Sequence, residues 1–284
     1  MNSFHNFLWD LFVKSFECKD AMIESMQNVF GDDENIIKRL NLPDRSFLMT
    51  IYEERLENIR KNVTIVTGQE QLAIEDIWFH KKFGWTVKGG GFKAYLGKIS
   101  IIGHLKIQIG HRSYFSAHGI LRGPGLVKIG NYCSIAEGIY ATAFADFHPI
   151  HFVSTLNWKS NFRVREDGIS MPMKYDGTFD NALESITLGS DVWIARNVRL
   201  SHGIHIGHGC IIAEGSLVKK DCDPYGIYGG TPARLIGYRF PSHIIDQLLE
   251  VQWWEWSEEK IQRNQRFFDQ NLTKIDSIYP LIRD

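Results

Sequence analysis

From Leu188 to Asp223 the chain divides into consecutive sixes: LGSDVW, IARNVR, LSHGIH, IGHGCI, IAEGSL and VKKDCD. Each block opens on an aliphatic residue, namely Leu188, Ile194, Leu200, Ile206, Ile212 and Val218. The second position is Gly, Ala or Ser in five of the six, and the fifth is Val192, Val198, Ile204, Cys210, Ser216 or Cys222. A helix buries residues three or four apart and a two-faced strand buries every second one, so a strict period of six suits neither. A unit this short cannot bury its own apolar face. It must stack on copies of itself, which is the logic of a parallel β-helix.

These blocks resemble those of the left-handed β-helix hexapeptide-repeat acyltransferases, of the xenobiotic acetyltransferase and polysaccharide O-acetyltransferase type. The resemblance implies a mainly β fold in which each block forms one side of a triangular prism and three blocks, 18 residues, complete a coil. Leu188 is then expected to stack on Ile206, Ile194 on Ile212 and Leu200 on Val218, about 4.8 Å apart as neighbouring strands are. First positions point into the prism, and the small residues let the backbone turn its corners.

With 284 residues and a formal charge of −1, the chain has room for one large or two modest domains but no electrostatic case for nucleic acid or an anionic membrane surface. MNSFHNFLWDLFVKSFECKD lacks a basic leader, and Asp10 breaks its apolar run, so it reads as a poor signal peptide. No apolar run approaches the roughly 20 residues of a membrane span, and the expected location is cytoplasmic. Cys133, Cys210 and Cys222 fall on fifth positions, where cysteine is a compact apolar filler rather than part of a disulfide framework or zinc site.

Residues 1–62 carry no hexapeptide phase and read as an N-terminal helical region, with Asp44 placed to cap a helix reaching about Lys61. Glu53 and Glu54 look like paired acids, but on an exposed helix face they read as solvated charges. Residues 63–240 are expected to form the β-helix domain. Gly89, Gly90 and Gly91 invite a phosphate-loop reading, yet neither a Lys-Ser/Thr pair nor a helix pattern follows, so they read as a turn or strand crossing. The phase begins weakly near Ile109, slips by two residues around Gly123 to Leu126, and resumes at Ile129. It stops between about 143 and 187, a stretch too long to be an idle loop in a compact domain, and an excursion is expected there beside the stack. Residues 241–284 read as C-terminal helices, with an apolar stripe at Ile244, Ile245, Leu248 and Leu249, then Trp253, Trp254 and Trp256. Ser257, followed by Glu258 and Glu259, suits a helix start.

Within the excursion, His148 is the natural proton acceptor near neutral pH. The resemblance sharpens that reading. Drug-modifying enzymes of the class carry an Asn-His pair about six residues before Ser-Thr, and His148 stands six before Ser154-Thr155. Polysaccharide-modifying relatives carry an acid, a spacer and His-Pro-Ile, matched by Asp146-Phe147-His148-Pro149-Ile150. In both groups the matching histidine is the general base, and Phe147 departs from the asparagine of the drug-modifying pattern. Asp146 and His151 are assigned to the substrate side, Asp146 chiefly as a turn former and His151 as substrate-lining or structural.

The resemblance also implies acetyl-coenzyme A as the acyl donor. Trp193 would line the acceptor and thioester pocket. The pantetheine arm would follow the coil edge at Ala195, Ala213 and Gly215, where small side chains permit close approach. Lys219, Lys220 and Arg234, the last after Gly230-Thr231-Pro232-Ala233, would meet the phosphates of the adenosine end. Ala195 and Glu214 depart from the more usual Gly and Ala or Gly. His202, His205 and His208 suggest a metal site in one dimension, but six residues is one prism face, and His202 and His208 would point about 120° apart, so no metal is expected. The implied assembly is a homotrimer with the active site between subunits. The expected acceptor is a sugar or surface-polysaccharide hydroxyl, with an antibiotic hydroxyl as the alternative and a non-catalytic scaffold or binding protein as the reading of another class.

Overall fold

A computed structural model describes residues 45–67, 70–80, 84–143, 153, 163–165, 168–170 and 185–283. The chain divides into two compact units, Met1–Lys61 and Asn62–Asp284. Of the first, the helix Arg45–Asn62 is described. The second is a three-sided parallel β-helix closed by C-terminal helices.

Face 1 runs through Val63–Thr67, Leu105–Gly110, Gly125–Ile129, Ile186–Leu188 and His205–Ile206. Face 2 contains Phe92–Gly97, Tyr114–Phe115, Ser134–Ile135, Trp193–Ile194, Ile211–Ile212 and Gly226–Gly230, and face 3 contains Ser100–Ile102, Ile120–Arg122, Tyr140–Thr142, Arg199–Leu200 and Leu217–Val218. The chain winds from face 1 to 2 to 3 and back. As expected, Leu188 pairs with Ile206, Ile194 with Ile212 and Leu200 with Val218, all in parallel. These first-position side chains are 0–3% exposed, so each coil gains its apolar burial from its neighbours. The fifth positions Val192, Val198, Ile204, Cys210 and Ser216 are also buried, which packs the inside of the corners.

Coil length is not constant. The early coils take 20 residues, pairing Ile107 with Val127 and Phe115 with Ile135, which accounts for the slip of two near Gly123. Coiling also begins earlier than the weak phase near Ile109 suggested, because Ser100–Ile102 already pairs in parallel with Ile120–Arg122. Gly89–Gly91 turn an antiparallel hairpin between Gly84–Gly89 and Phe92–Gly97. Ile129 next pairs with Leu188 and Ala141 with Leu200, both 59 residues on. The excursion therefore leaves at the corner between faces 3 and 1, from Ala143, and rejoins at Ser185. A short antiparallel ribbon, Arg163–Arg165 with Gly168–Ser170, belongs to it.

The last coil is two residues short. Cys222 bridges to Ile206 and Ile227 pairs with Ile211, each 16 residues away. Cys222 is thus not a fifth-position corner residue, as the strict phase has it, but occupies the place of a first position. The corner from Val218 to Cys222 is correspondingly tight.

Past the prism, Ser242–Val251 forms a helix, Trp253–Glu255 a 3-10 turn and Glu258–Arg263 a second helix. Ser257 caps that second helix, its side chain accepting from the Lys260 amide at 3.2 Å. Tyr225, Ile244, Leu248, Trp254, Phe267 and Ile278 form the core joining this tail to the last coil. The tail is also pinned by charge. Glu258 accepts from Arg112 Nε and Nη2 and from His111 Nε2, each at 2.7 Å. His111 Nδ1 accepts the Lys93 amide at 3.3 Å, so its neutral ring is satisfied on both sides. Arg112, then His111, holds the Glu258 carboxyl at about 2 against its ordinary 4.5, while burial keeps the His111 imidazole below its usual value.

Both groups have depressed folded pKa values, so their stabilisation is complete at higher pH and lost on acidification. The His111 contribution fades as pH falls through the ordinary imidazole range, and that of Glu258 fades from about 4.5 towards 2. Because the Glu258 side chain is 40% exposed, solvent screens the pair and its worth is well below what the shift alone implies. Glu258→Gln should melt below wild type at neutral pH, with the gap closing progressively below pH 4.5. A gap that persists or widens there would remove Glu258 as the acid-sensitive pin; thermal melts from pH 8 to pH 3 measure it.

Candidate functional site

The short corner after Val218 builds a cavity of about 220 Å³ at the C-terminal end of the prism. Lys219, Lys220 and Asp221 supply one wall, Ala233, Arg234 and Leu235 the other, with Tyr228 and Cys222 beneath. Arg234 arrives from the hairpin Gly226–Gly230/Ala233–Tyr238, in register with Gly229. The three cations predicted from sequence therefore share one cavity. Among the described residues no carboxylate forms an ion pair with any of them. With Asp221 the only acid of the lining, the cavity is electropositive and suited to an anionic ligand of phosphate type.

Ala195, Ala213 and Gly215 lie on the corner between faces 2 and 3. The Ala195 amide donates to Ile212 O and the Ala213 amide to Tyr228 O, so the two alanines stack on successive coils. Gly215 has φ +71°, and a Cβ there would meet nothing within 4 Å. The edge is open, and its backbone is accessible to a thin chain. Glu214 does not block it. Its carboxylate reaches Arg196 at 3.4 Å along the outer surface, and both side chains are more than half exposed.

Trp193 stands on face 2 at the start of the same edge, paired with Ser134 and Ile211. Its neighbour Ile194 points into the core, and period-2 alternation turns the indole outward, 51% exposed. An outward indole offers a flat apolar wall with one N–H donor.

The histidine row separates as the prism geometry demands. His205 is on face 1, its amide donating to Asp221 Oδ1 at 2.7 Å, while His208 is in the corner between faces 1 and 2. The His208 ring stacks on Trp254 at 4.5 Å and its Nδ1 accepts the Ser190 amide at 2.9 Å; burial lowers its pKa. No cluster of three or more metal-ligating side chains forms among the described residues. Among them, too, no helix is long and apolar enough to cross a membrane.

Asp146, His148 and His151 lie outside the described residues. Two neighbouring features were not anticipated. Arg239 Nη1 binds Asp191 at 2.8 Å and Gly209 O at 2.7 Å, with its guanidinium over Tyr225. A second cavity opens on face 1, between the sheet and the C-terminal turn.

Residues 185–220 match the sequence family described as bacterial transferase hexapeptide (six repeats). A probable macrolide acetyltransferase of Lysinibacillus sphaericus is 36% identical over 143 residues, which is 48% of this chain and 73% of that protein. A chloramphenicol acetyltransferase of Klebsiella aerogenes is 38% identical over 141 residues, 47% of this chain and 61% of that protein. Among solved structures, a galactoside acetyltransferase in complex with coenzyme A is 23% identical with a TM-score of 0.35, over 50% of this chain and 65% of that one. Stacked hexapeptides and a relative above one-third identity over most of its length meet in one conclusion: the chain belongs to the hexapeptide-repeat acyltransferase family.

Proposed function

We propose that the protein is an acetyl-coenzyme A-dependent O-acetyltransferase that acts on a hydroxyl of a sugar or surface polysaccharide. The observation that carries this reading is the gathering of Lys219, Lys220 and Arg234 in one cavity at the end of the same prism whose open edge carries Trp193, Ala195, Ala213 and Gly215. A cationic cavity and an open edge on one prism suit a donor with a phosphorylated head, a thin arm and a reactive thioester end. His148 accepts the proton of the acceptor hydroxyl as its oxygen attacks the thioester carbonyl. A C–O bond forms, the C–S bond breaks, and the imidazolium returns the proton to the departing thiolate. A backbone N–H of the coil edge steadies the oxyanion.

The topology supports a site shared between copies in a homotrimer. The excursion bearing His148 leaves from the corner between faces 3 and 1, whereas the open edge is the corner between faces 2 and 3. One whole face separates them on a single prism, and a neighbouring copy's excursion closes that gap. Asp146 turns the loop and His151 lines the acceptor. The names of the relatives favour a second reading, in which the acceptor is an antibiotic hydroxyl.

Thiol release from acetyl-coenzyme A, measured across sugars, glycans and antibiotics, separates the readings. Release with glycans alone supports the first and with drugs alone the second. Silence everywhere, with no coenzyme binding, leaves a scaffold or binding protein. Lys220→Met and Arg234→Met should each weaken coenzyme A about tenfold, as loss of a charge-assisted hydrogen bond does. The loss should shrink at high salt, as titrations at two ionic strengths would show. Unchanged affinity in both variants would take the adenosine end out of this cavity.

A further inference from the structure

The cavity on face 1 has a volume of about 230 Å³ and shares no residue with the cation cavity. Its floor is the rung Ile129–Gly130 and Leu188–Gly189, and the C-terminal turn walls one side with Glu255. Outward positions of this face read Gln108, Lys128, Thr187 and His205 in register. The matching column of face 2 reads Tyr114, Ser134, Trp193, Ile211 and Ile227. Face 1 is thus the polar side of the prism, and its polar column borders a concavity.

The polar groups are divided by charge. Lys128 and His205 are exposed at one rim, two strand spacings or about 10 Å apart along the stack. No carboxylate pairs with either side chain among the described residues. At the other side, Glu255 pairs with no cation among those residues; Oε1 is 3.4 Å from Asn131 Nδ2, which also donates to Trp254 O at 3.1 Å. Burial alone raises its carboxyl above the ordinary range. His208 is on the side of the C-terminal turn, stacked on Trp254, and its Nδ1 is occupied by the Ser190 amide, so its neutral ring carries the proton on Nε2 and can donate there.

We infer that face 1 carries a second small-molecule site, which takes a short zwitterion: its carboxylate lies between Lys128 and His205, and its ammonium on Glu255. Neither a plain anion nor a plain cation satisfies both ends. With a liquid-water share of about 30 Å³ per molecule, the volume equals roughly eight waters, so the ligand is well below the size of acetyl-coenzyme A. The site stands apart from the acyl-transfer reading and survives its failure.

The test is titration of the full chain with 5-aminopentanoate, pentanoate and pentylamine, read by calorimetry and by the fluorescence of Trp254, whose ring stacks on His208. The zwitterion should bind at least about tenfold more tightly than either single-charge homologue, as loss of a charge-assisted contact implies. Lys128→Met should bring it down to the pentylamine level and Glu255→Gln to the pentanoate level, with coenzyme A affinity unchanged in both. Three indistinguishable probes, a zwitterion indifferent to both substitutions, or no saturable binding by 5-aminopentanoate would each overturn the assignment.

Discussion

Replacing His148 with alanine is expected to lower turnover by about 10²–10⁴, the usual contribution of a positioned general base. The same change should leave the dissociation constant of coenzyme A within about twofold, because the proposed phosphate contacts come from Lys219, Lys220 and Arg234 at the end of the prism. The pH profile separates a base from a structural histidine. Wild-type kcat/KM should rise through the imidazole range, near 6.5 for an unperturbed ring, as the neutral form accumulates. The alanine variant should be nearly flat there. Turnover close to wild type, or a profile that keeps its rise in the variant, would remove His148 from the chemistry. The readout is turnover rather than stability, because the proposed role is in the chemical step.

The β-helix was legible because its signal is redundant. Each rung repeats the same demand, an aliphatic side chain facing inward and a small residue at the corner, so that Leu188, Ile194 and Leu200 predict their partners Ile206, Ile212 and Val218 by counting. Counting fails where a corner changes length. Insertion near Gly123 and the loss of two residues between Val218 and Cys222 are corner events, and the backbone absorbs them while the strands keep pairing. A strict reading therefore placed Cys222 at a corner. The tight corner that displaced it is also what gathers Lys219, Lys220 and Asp221 against Arg234.

The geometry of the candidate site was legible in part, for a related reason. Trp193, Ala195, Ala213 and Gly215 inherit their places from the repeat, so the phase puts them on one edge. Contacts between the prism and its tail have no phase to reveal them. Glu258 finds His111 and Arg112 across about 147 residues, and Arg239 finds Asp191 across 48. Ser257 signalled the start of a helix, but nothing local says which charges meet its first turn. The face 1 cavity was missed likewise, because it needs both the outward column of the sheet and Glu255 of the tail.

Trp193 and Ile194 are adjacent, and their substitutions should have opposite signatures. Ile194 is fully buried, stacked between Ile135 and Ile212. Ile194→Ala removes methyl groups from a column that two rigid neighbours cannot refill, which costs about 2–5 kcal/mol. For a unit of this size that lowers the melting temperature by roughly 5–20 °C. Because each coil is stabilised by its neighbours, the loss weakens the interfaces on both sides and should appear as earlier hydrogen exchange in the flanking coils. Trp193→Ala leaves that column intact, and with the indole 51% exposed the fold should lose about 0.5 kcal/mol, as at ordinary surface sites. On the proposed reading its effect falls on the reaction: KM for acetyl-coenzyme A should rise by roughly five- to thirtyfold, the worth of about 1–2 kcal/mol of aromatic contact. Paired melts and steady-state kinetics on the two variants decide the matter. If Trp193→Ala melts as early as Ile194→Ala while KM stays unchanged, the indole is part of the fold, and the open edge at Ala195 has no wall for a thioester.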